Sequence, residues 1–191
     1  MAQGKKLGLA LGGGGARGLA SIGVLHVLEE AGIEVSAIAG TSMGGLVGAF
    51  YGAGIALEKI ATLTNHGGPR QFLRHLFDLT ISARGFLRGE QIRASFSQAL
   101  GATTQFHQLS IPLALVAADL RSGRQVVLKS GPLVEALRAT CAVPGVFLPI
   151  DYQDMALVDG GILNNVPADV VREMGVDVVM AVNVLPDFSQ N

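Results

Sequence analysis

The chain has 191 residues with 14 basic and 15 acidic side chains; 49% of its residues are apolar and 15% charged. That length suits one domain with a substantial core, and so much apolar content excludes general disorder. The near-balanced charge argues against nucleic acid, whose binding needs an excess of Lys and Arg. The single cysteine, Cys141, leaves no intramolecular disulfide and no multi-cysteine metal site, so a reducing, cytoplasmic setting is expected. Glycine is the outlier: 26 residues, about twice its usual share of roughly 7%. Without a collagen period, these glycines mark tight turns and close backbone approaches.

In chain order, Lys5 and Lys6 precede an apolar run at 7–11 that is too short for a signal peptide and ends in glycines. It reads as a buried strand. Residues 18–31 carry Leu19, Ile22, Leu25 and Leu28 on helical spacing and stop at Gly32. A second buried strand is predicted at 35–39 and a Gly- and Ala-rich helix at 43–53. The uncharged run 35–57 is long enough to cross a bilayer, but its glycines, Ser36, Thr41 and Ser42 fit a strand, a turn and a buried helix better. Further strands are predicted at 111–118, 124–128, 155–158 and 177–184, with helices at 132–140 and 167–174. Pro167 opens the last helix and Gly175 follows it, the expected asymmetry.

Continuously apolar strands alternating with helices indicate an α/β fold, a mostly parallel central sheet covered by helices on both faces. One domain, 1–191, accounts for the pattern. The stretch 67–99 differs, because Arg70, Arg74, Arg84, Arg88 and Arg93 alternate with aromatic and aliphatic residues and outnumber Asp78 and Glu90. It reads as an amphipathic insertion over the sheet. An ordinary surface subdomain with snorkelling arginines is preferred, while peripheral contact with a lipid surface, at the inner face of the membrane, stays open.

Gly40-Thr41-Ser42-Met43-Gly44 joins a predicted strand to a predicted helix. In a nucleophile elbow the turn is so sharp that residues two positions from the Ser must lack bulk. Gly12 to Gly15, followed by Ala16, Arg17 and Gly18, lies between the first strand and first helix. Its backbone N–H groups could meet a phosphate or a transient oxyanion. A Walker loop fails because Leu19 and Ala20 stand where Lys and Ser/Thr should be. Dinucleotide spacing fits Gly13, Gly15 and Gly18, but the second strand does not end in the required carboxylate. An oxyanion hole beside Ser42 uses both motifs at once.

A Ser–Asp–His order would require Ser42, Asp78 and His107, and the sequence places these poorly; His26, His66, His75 and His107 read as structural or surface residues. Asp119 and Asp159 each follow a strand. Asp119 reads as a hairpin turn. Asp159 precedes Gly160 and Gly161, which let backbone come close to whatever the carboxylate faces. Desolvation can make such a carboxylate a competent base.

These three motifs, in this order, resemble the patatin-like phospholipase family, and more particularly small bacterial members related to the catalytic domain of neuropathy target esterase. The stretches 141–147 and 157–167 resemble it too, so the likeness covers nearly the whole chain. The resemblance implies a patatin-like three-layer fold and a serine acyl hydrolase acting on lipid carboxyl esters, of phospholipase A, lysophospholipase or esterase type. It implies Ser42 as nucleophile, Asp159 as its base, and an oxyanion hole from the N–H groups of Gly13, Gly14 and Gly15. Arg17 occupies the family's basic position, open to a phosphate or a structural ion pair. Gly18, Gly40, Gly44, Gly160 and Gly161 are the supporting motif positions. No cofactor or metal is expected, and nothing supplies a set of calcium ligands. The departure is at the C-terminus, where related chains often continue, so either a short form or a truncated chain is expected. The alternatives are a non-catalytic binding or scaffold protein of the same fold and, behind it, a dinucleotide-binding protein.

Overall fold

The computed structural model describes residues 4–65 and 89–186. In β1 (Leu7–Leu11), β2 (Val35–Thr41) and β3 (Leu113–Asp119) nearly every residue is buried. Successive side chains point to opposite faces, and the two faces differ in bulk. Leu7, Leu9, Leu11, Ile38, Leu113 and Leu115 enter a large core, whereas Ala10, Ala37, Ala39 and Ala114 enter a smaller one. The strands are therefore apolar throughout yet distinguish one side from the other.

Four strands run parallel: β7 (Val178–Val182) beside β1, β1 beside β2, and β2 beside β3. Three others, β4 (Arg124–Leu128), β5 (Ile150–Tyr152) and β6 (Met155–Asp159), pair antiparallel. The seven-stranded sheet has the order β5-β6-β3-β2-β1-β7, with β4 also on β3.

Helices cover both faces. A 3-10 turn (Gly15–Leu19) leads into α1 (Ala20–Glu30), and α2 (Ser42–Gly52) follows β2 directly. With α3 (Leu57–Asn65), α4 (Glu90–Leu100) and α5 (Leu133–Thr140) they fill the large core, using Leu25, Leu46, Phe50, Ile60, Phe96 and Leu137. Each such side chain contributes about 1.5–3 kcal/mol relative to leaving it in water. On the other face α6 (Ala168–Glu173) sets Val170 and Val171 against the alanines. The three-layer α/β arrangement expected from the sequence is present. Among the described residues no helix is long and apolar enough to cross a membrane, and the uncharged run at 35–57 folds mainly as β2 and α2.

Three elements were not announced by periodicity: α3, α4 and the three-residue strand β5. Of the segment expected as an amphipathic cover, 67–88 lies outside the described residues, as do His66, His75 and Asp78. The rest is mostly α4, whose Ile92 and Phe96 are buried in the main core. Residues 90–100 thus belong to the helical layer itself.

Register on β3 positions everything that follows. Residues 38–41 of β2 pair with residues 113–116 of β3 and go no further, because the chain turns into α2 after Thr41. β4 takes the opposite edge, opposite residues 115–119. The edge vacated by β2 is filled by β6, which pairs with residues 117–119 and runs the other way. Thr41 faces Val116 and Asp159 faces Ala117. Two strands from distant parts of the chain therefore meet end to end on one edge of β3, with Ser42 and Asp159 at the junction.

Candidate active site

Ser42 is the first residue of α2 and has φ 53°, a left-handed conformation rare for a residue with a side chain. Such backbone costs on the order of 1–3 kcal/mol and persists only when its surroundings enforce it. Here they do. The Ser42 N–H donates to Thr140 Oγ1 at 2.9 Å, and the buried Thr140 hydroxyl donates to the Val116 carbonyl at 2.6 Å. Thr41 Oγ1 donates to the Asn164 carbonyl at 2.9 Å. Because Thr140 takes the Ser42 N–H, that amide is not an available oxyanion donor.

The flanking glycines are required by close approach. A Cβ on Gly44 would collide with the Leu11 carbonyl and lie 2.6 Å from the Gly12 carbonyl oxygen. Both obstacles are backbone in the central sheet and its adjoining loop, so relief means moving the sheet or the helix. Gly44→Ala is expected to destabilise the fold by at least the 1–3 kcal/mol typical of overpacking, seen as a lowered midpoint in thermal or urea unfolding.

Asp159 ends β6 and is buried. Its N–H donates to the Ala142 carbonyl at 2.9 Å. One carboxylate oxygen, Oδ1, accepts from the Gly161 N–H at 2.8 Å, and the Ser42 side chain lies near enough to the carboxylate to lower its pKa. Burial pushes the Asp159 carboxyl above its ordinary range, while the Ser42 side chain and the Gly161 N–H pull it partly back. The result is a carboxylate with enhanced proton affinity in contact with a hydroxyl. Gly160 is pressed against β3, where a Cβ would stand 2.5 Å from the Val116 carbonyl oxygen.

The glycine loop runs beside Ser42, and a Cβ on Gly13 would lie 3.0 Å from the Ser42 Cβ. Its amides are not equivalent. Gly12 N–H donates to the Val182 carbonyl at 3.0 Å and Gly13 N–H to the Asn165 carbonyl at 3.2 Å. Gly14 and Gly15, which cap and open the 3-10 turn, have N–H groups with no acceptor among the described residues. The open donors are thus two of the three anticipated amides. Gly18 packs under Met43. Arg17 is exposed and forms no ion pair with any described residue.

Other candidates separate cleanly. Asp119 accepts from the Ser122 hydroxyl at 2.6 Å, the Ala156 N–H at 2.9 Å, and the Arg121 and Ser122 N–H groups at 3.1 Å each. These bonds, led by the Ser122 hydroxyl, hold its pKa down to about 2, so it is an ionised turn residue. Cys141 is fully buried, and burial together with the nearby Asp159 charge pushes its thiol far up, away from thiolate chemistry. His26 is exposed beside Glu30 at 3.4 Å, and His107 is exposed in a 3-10 turn. No group of three His, Cys, Asp or Glu suited to a metal occurs among the described residues. Thr140 and Asn165 received no role from the sequence. Both act on partners far away in the chain, and their letters carry no local pattern.

Residues 9–172 match the family model described as Patatin-like phospholipase. An uncharacterized NTE family protein of Mycobacterium tuberculosis is 41% identical over 178 residues, which cover 93% of this chain and 49% of that protein. Human patatin-like phospholipase domain-containing protein 6 is 35% identical over 189 residues, covering 95% of this chain and 13% of that protein. The chain therefore spans about half the length of the mycobacterial relative and a small part of the human one. Among solved structures, VipD from Legionella pneumophila superposes with a TM-score of 0.55 at 14% identity, over 85% of this chain and 47% of that one. That likeness concerns the fold alone.

Proposed function

The chain belongs to the patatin-like phospholipase family, and from that premise we propose that it is a serine acyl hydrolase cleaving carboxyl esters of lipids through a Ser42–Asp159 dyad. The observation that carries the reading is the contact between the Ser42 hydroxyl and the buried, proton-hungry Asp159 carboxylate at a strained strand-to-helix turn. Asp159 takes the hydroxyl proton as Ser42 Oγ bonds to the ester carbonyl carbon. The carbonyl oxygen becomes an oxyanion facing the Gly14 and Gly15 amides. Collapse of this intermediate expels the alcohol, which leaves with the proton held by Asp159. Water then attacks the acyl-enzyme, Asp159 again accepting the proton, and the fatty acid and free Ser42 are released.

The family points to lipid rather than small-ester substrates, and exposed apolar side chains close in sequence to Cys141 and Asp159 are compatible with that. Val143, Leu148, Ile162 and Leu163, on the segments that flank Cys141 and follow Asp159, are large apolar side chains exposed to solvent. Such side chains can accept an acyl chain.

The reading is tested by offering the purified protein aryl esters of several chain lengths and a panel of phospholipids, lysophospholipids and neutral lipids, with product identification. Turnover releasing free fatty acid is expected, together with covalent labelling of Ser42 by a fluorophosphonate. A protein that hydrolyses none of these and stays unlabelled would instead be a binding protein on the same fold.

A further inference from the structure

We infer that Asn165 is a positioning residue that sets the direction of the Gly14 N–H, the first of the two open donors of the glycine loop that meets Ser42 at Gly13. The inference rests on the acyl-hydrolase reading and adds to it a residue that touches neither substrate nor the reacting atoms.

Asn165 grips Gly13 from both ends. Its main-chain carbonyl accepts the Gly13 N–H at 3.2 Å, and its side-chain Nδ2 donates to the Gly13 carbonyl, also at 3.2 Å. The second bond matters most. The Gly13 carbonyl and the Gly14 N–H belong to one planar trans peptide unit, so they point in opposite directions. Fixing the oxygen on Asn165 fixes the hydrogen on the other side. Glycines on both sides of that peptide present little steric barrier to rotating it. Without the clamp, the donor could swing away at small cost.

Asn165 is itself held at the meeting point of the loops. Its Oδ1 lies 2.8 Å from the position of a Cβ on Gly13 and 3.0 Å from that of a Cβ on Gly161, so a side chain at Gly13 would displace Asn165 and one at Gly161 would crowd it. The preceding residue is anchored by three hydrogen bonds. Asn164 Nδ2 donates to Asp169 Oδ1 at 2.7 Å and to Gln125 Oε1 at 3.1 Å, and the Asn164 carbonyl accepts from Thr41. One short segment thus joins the turn after Asp159, the strand before Ser42 and the glycine loop. Oxyanion stabilisation depends on donors aimed before the charge appears, and Asn165 supplies that aim for a loop with no side chains of its own.

The experiment compares Asn165→Ala and Asn165→Asp with the parent chain, each normalised to active sites titrated with a fluorophosphonate. Asp keeps the volume of Asn but cannot donate to Gly13, so it serves if the Ala variant folds poorly. Loss of kcat per titrated site of about 10–100-fold is expected, somewhat below the 10²–10³-fold for deleting a donor outright, with KM within about twofold. A long-chain trifluoromethyl ketone adds Ser42 Oγ and becomes an oxyanion, so its affinity should weaken in parallel with kcat/KM. Inhibition by the product fatty acid should not change. A residue that merely supports the fold would lower the titrated fraction and leave these ratios alone. Parent-like kcat per site and ketone affinity in both variants would overturn the inference while Ser42→Ala remains inactive. Full activity in Ser42→Ala would overturn the nucleophile assignment, and this inference with it.

Discussion

Ser42→Ala should lower ester hydrolysis by about 10⁴–10⁶-fold and abolish fluorophosphonate labelling, the scale seen when a serine nucleophile is deleted. No neighbouring group can substitute. The Cys141 thiol is close enough to feel the Asp159 charge, but it is buried and its proton is held far too tightly for thiolate attack, and the Thr140 hydroxyl is committed to the Val116 carbonyl. Asp159 keeps its bond from Gly161 in the variant and so stays in place. The measurement is turnover per folded protein on an aryl ester, with circular dichroism to show that the fold is intact. Retention of even a tenth of the parent rate would remove Ser42 from the mechanism.

The same position tests the strain. Alanine has a Cβ and stays strained at φ 53°, whereas glycine does not. Ser42→Gly should therefore be as inactive as Ser42→Ala but more stable than it, by about 1 kcal/mol after allowing for glycine's extra unfolded-state freedom. Equal unfolding midpoints for the two variants would mean that the elbow stores no strain.

Much of this architecture was legible because the information was local. β1 and β4 occupy the expected residues, since a run such as Leu-Gly-Leu-Ala-Leu bounded by glycines has few other ways to bury itself. The Gly-x-Ser-x-Gly turn was legible partly for the same reason: Gly40 answers a clash with Gly44 and Gly45 within a few residues of the serine, whereas Gly44 answers the distant backbone of Leu11 and Gly12. What escaped was non-local. α3 buries Leu57 and Ile60 but is otherwise rich in polar residues, and its 3.6-residue stripe is too thin to read. α4 was hidden in a segment dominated by arginines, although Ile92 and Phe96 share one face.

The direction of β6 was the more consequential gap. A short apolar strand reads alike in either direction, and only its pairing with β3 reveals that it runs antiparallel. Had it run parallel along the full edge, Asp159 and Ser42 could not have faced each other across the end of β2. Likewise the sequence could nominate three glycine amides, but only the bond from Gly13 to Asn165, 152 residues away, divides a committed donor from the open ones.

Asp159→Asn should separate activity from stability. The amide cannot take the Ser42 proton in either half of the reaction, so a loss of about 10²–10⁴-fold in kcat is expected, the range for general-base removal. In the parent chain the rate should rise along an acid limb whose midpoint lies above the ordinary carboxylate value of about 4, because burial raises the Asp159 pKa. That limb should be missing from the residual activity of the variant.

Stability should move the other way. A native carboxyl with a raised pKa holds its proton where the unfolded chain has already lost it. Its stabilising contribution is then full below the unfolded value and is lost as pH rises through the native one. Above that native value the parent keeps a charge in a buried site that disfavours it. Asparagine removes that charge, and its Oδ1 can still accept from Gly161 while its Nδ2 meets the Ser42 oxygen. The variant should melt higher than the parent at pH 7–8, and the gap should close as pH falls toward about 4. A variant equally inactive but less stable at every pH would show that the carboxylate is held by interactions that outweigh its desolvation, and the acid limb would then fall below, not above, the ordinary range.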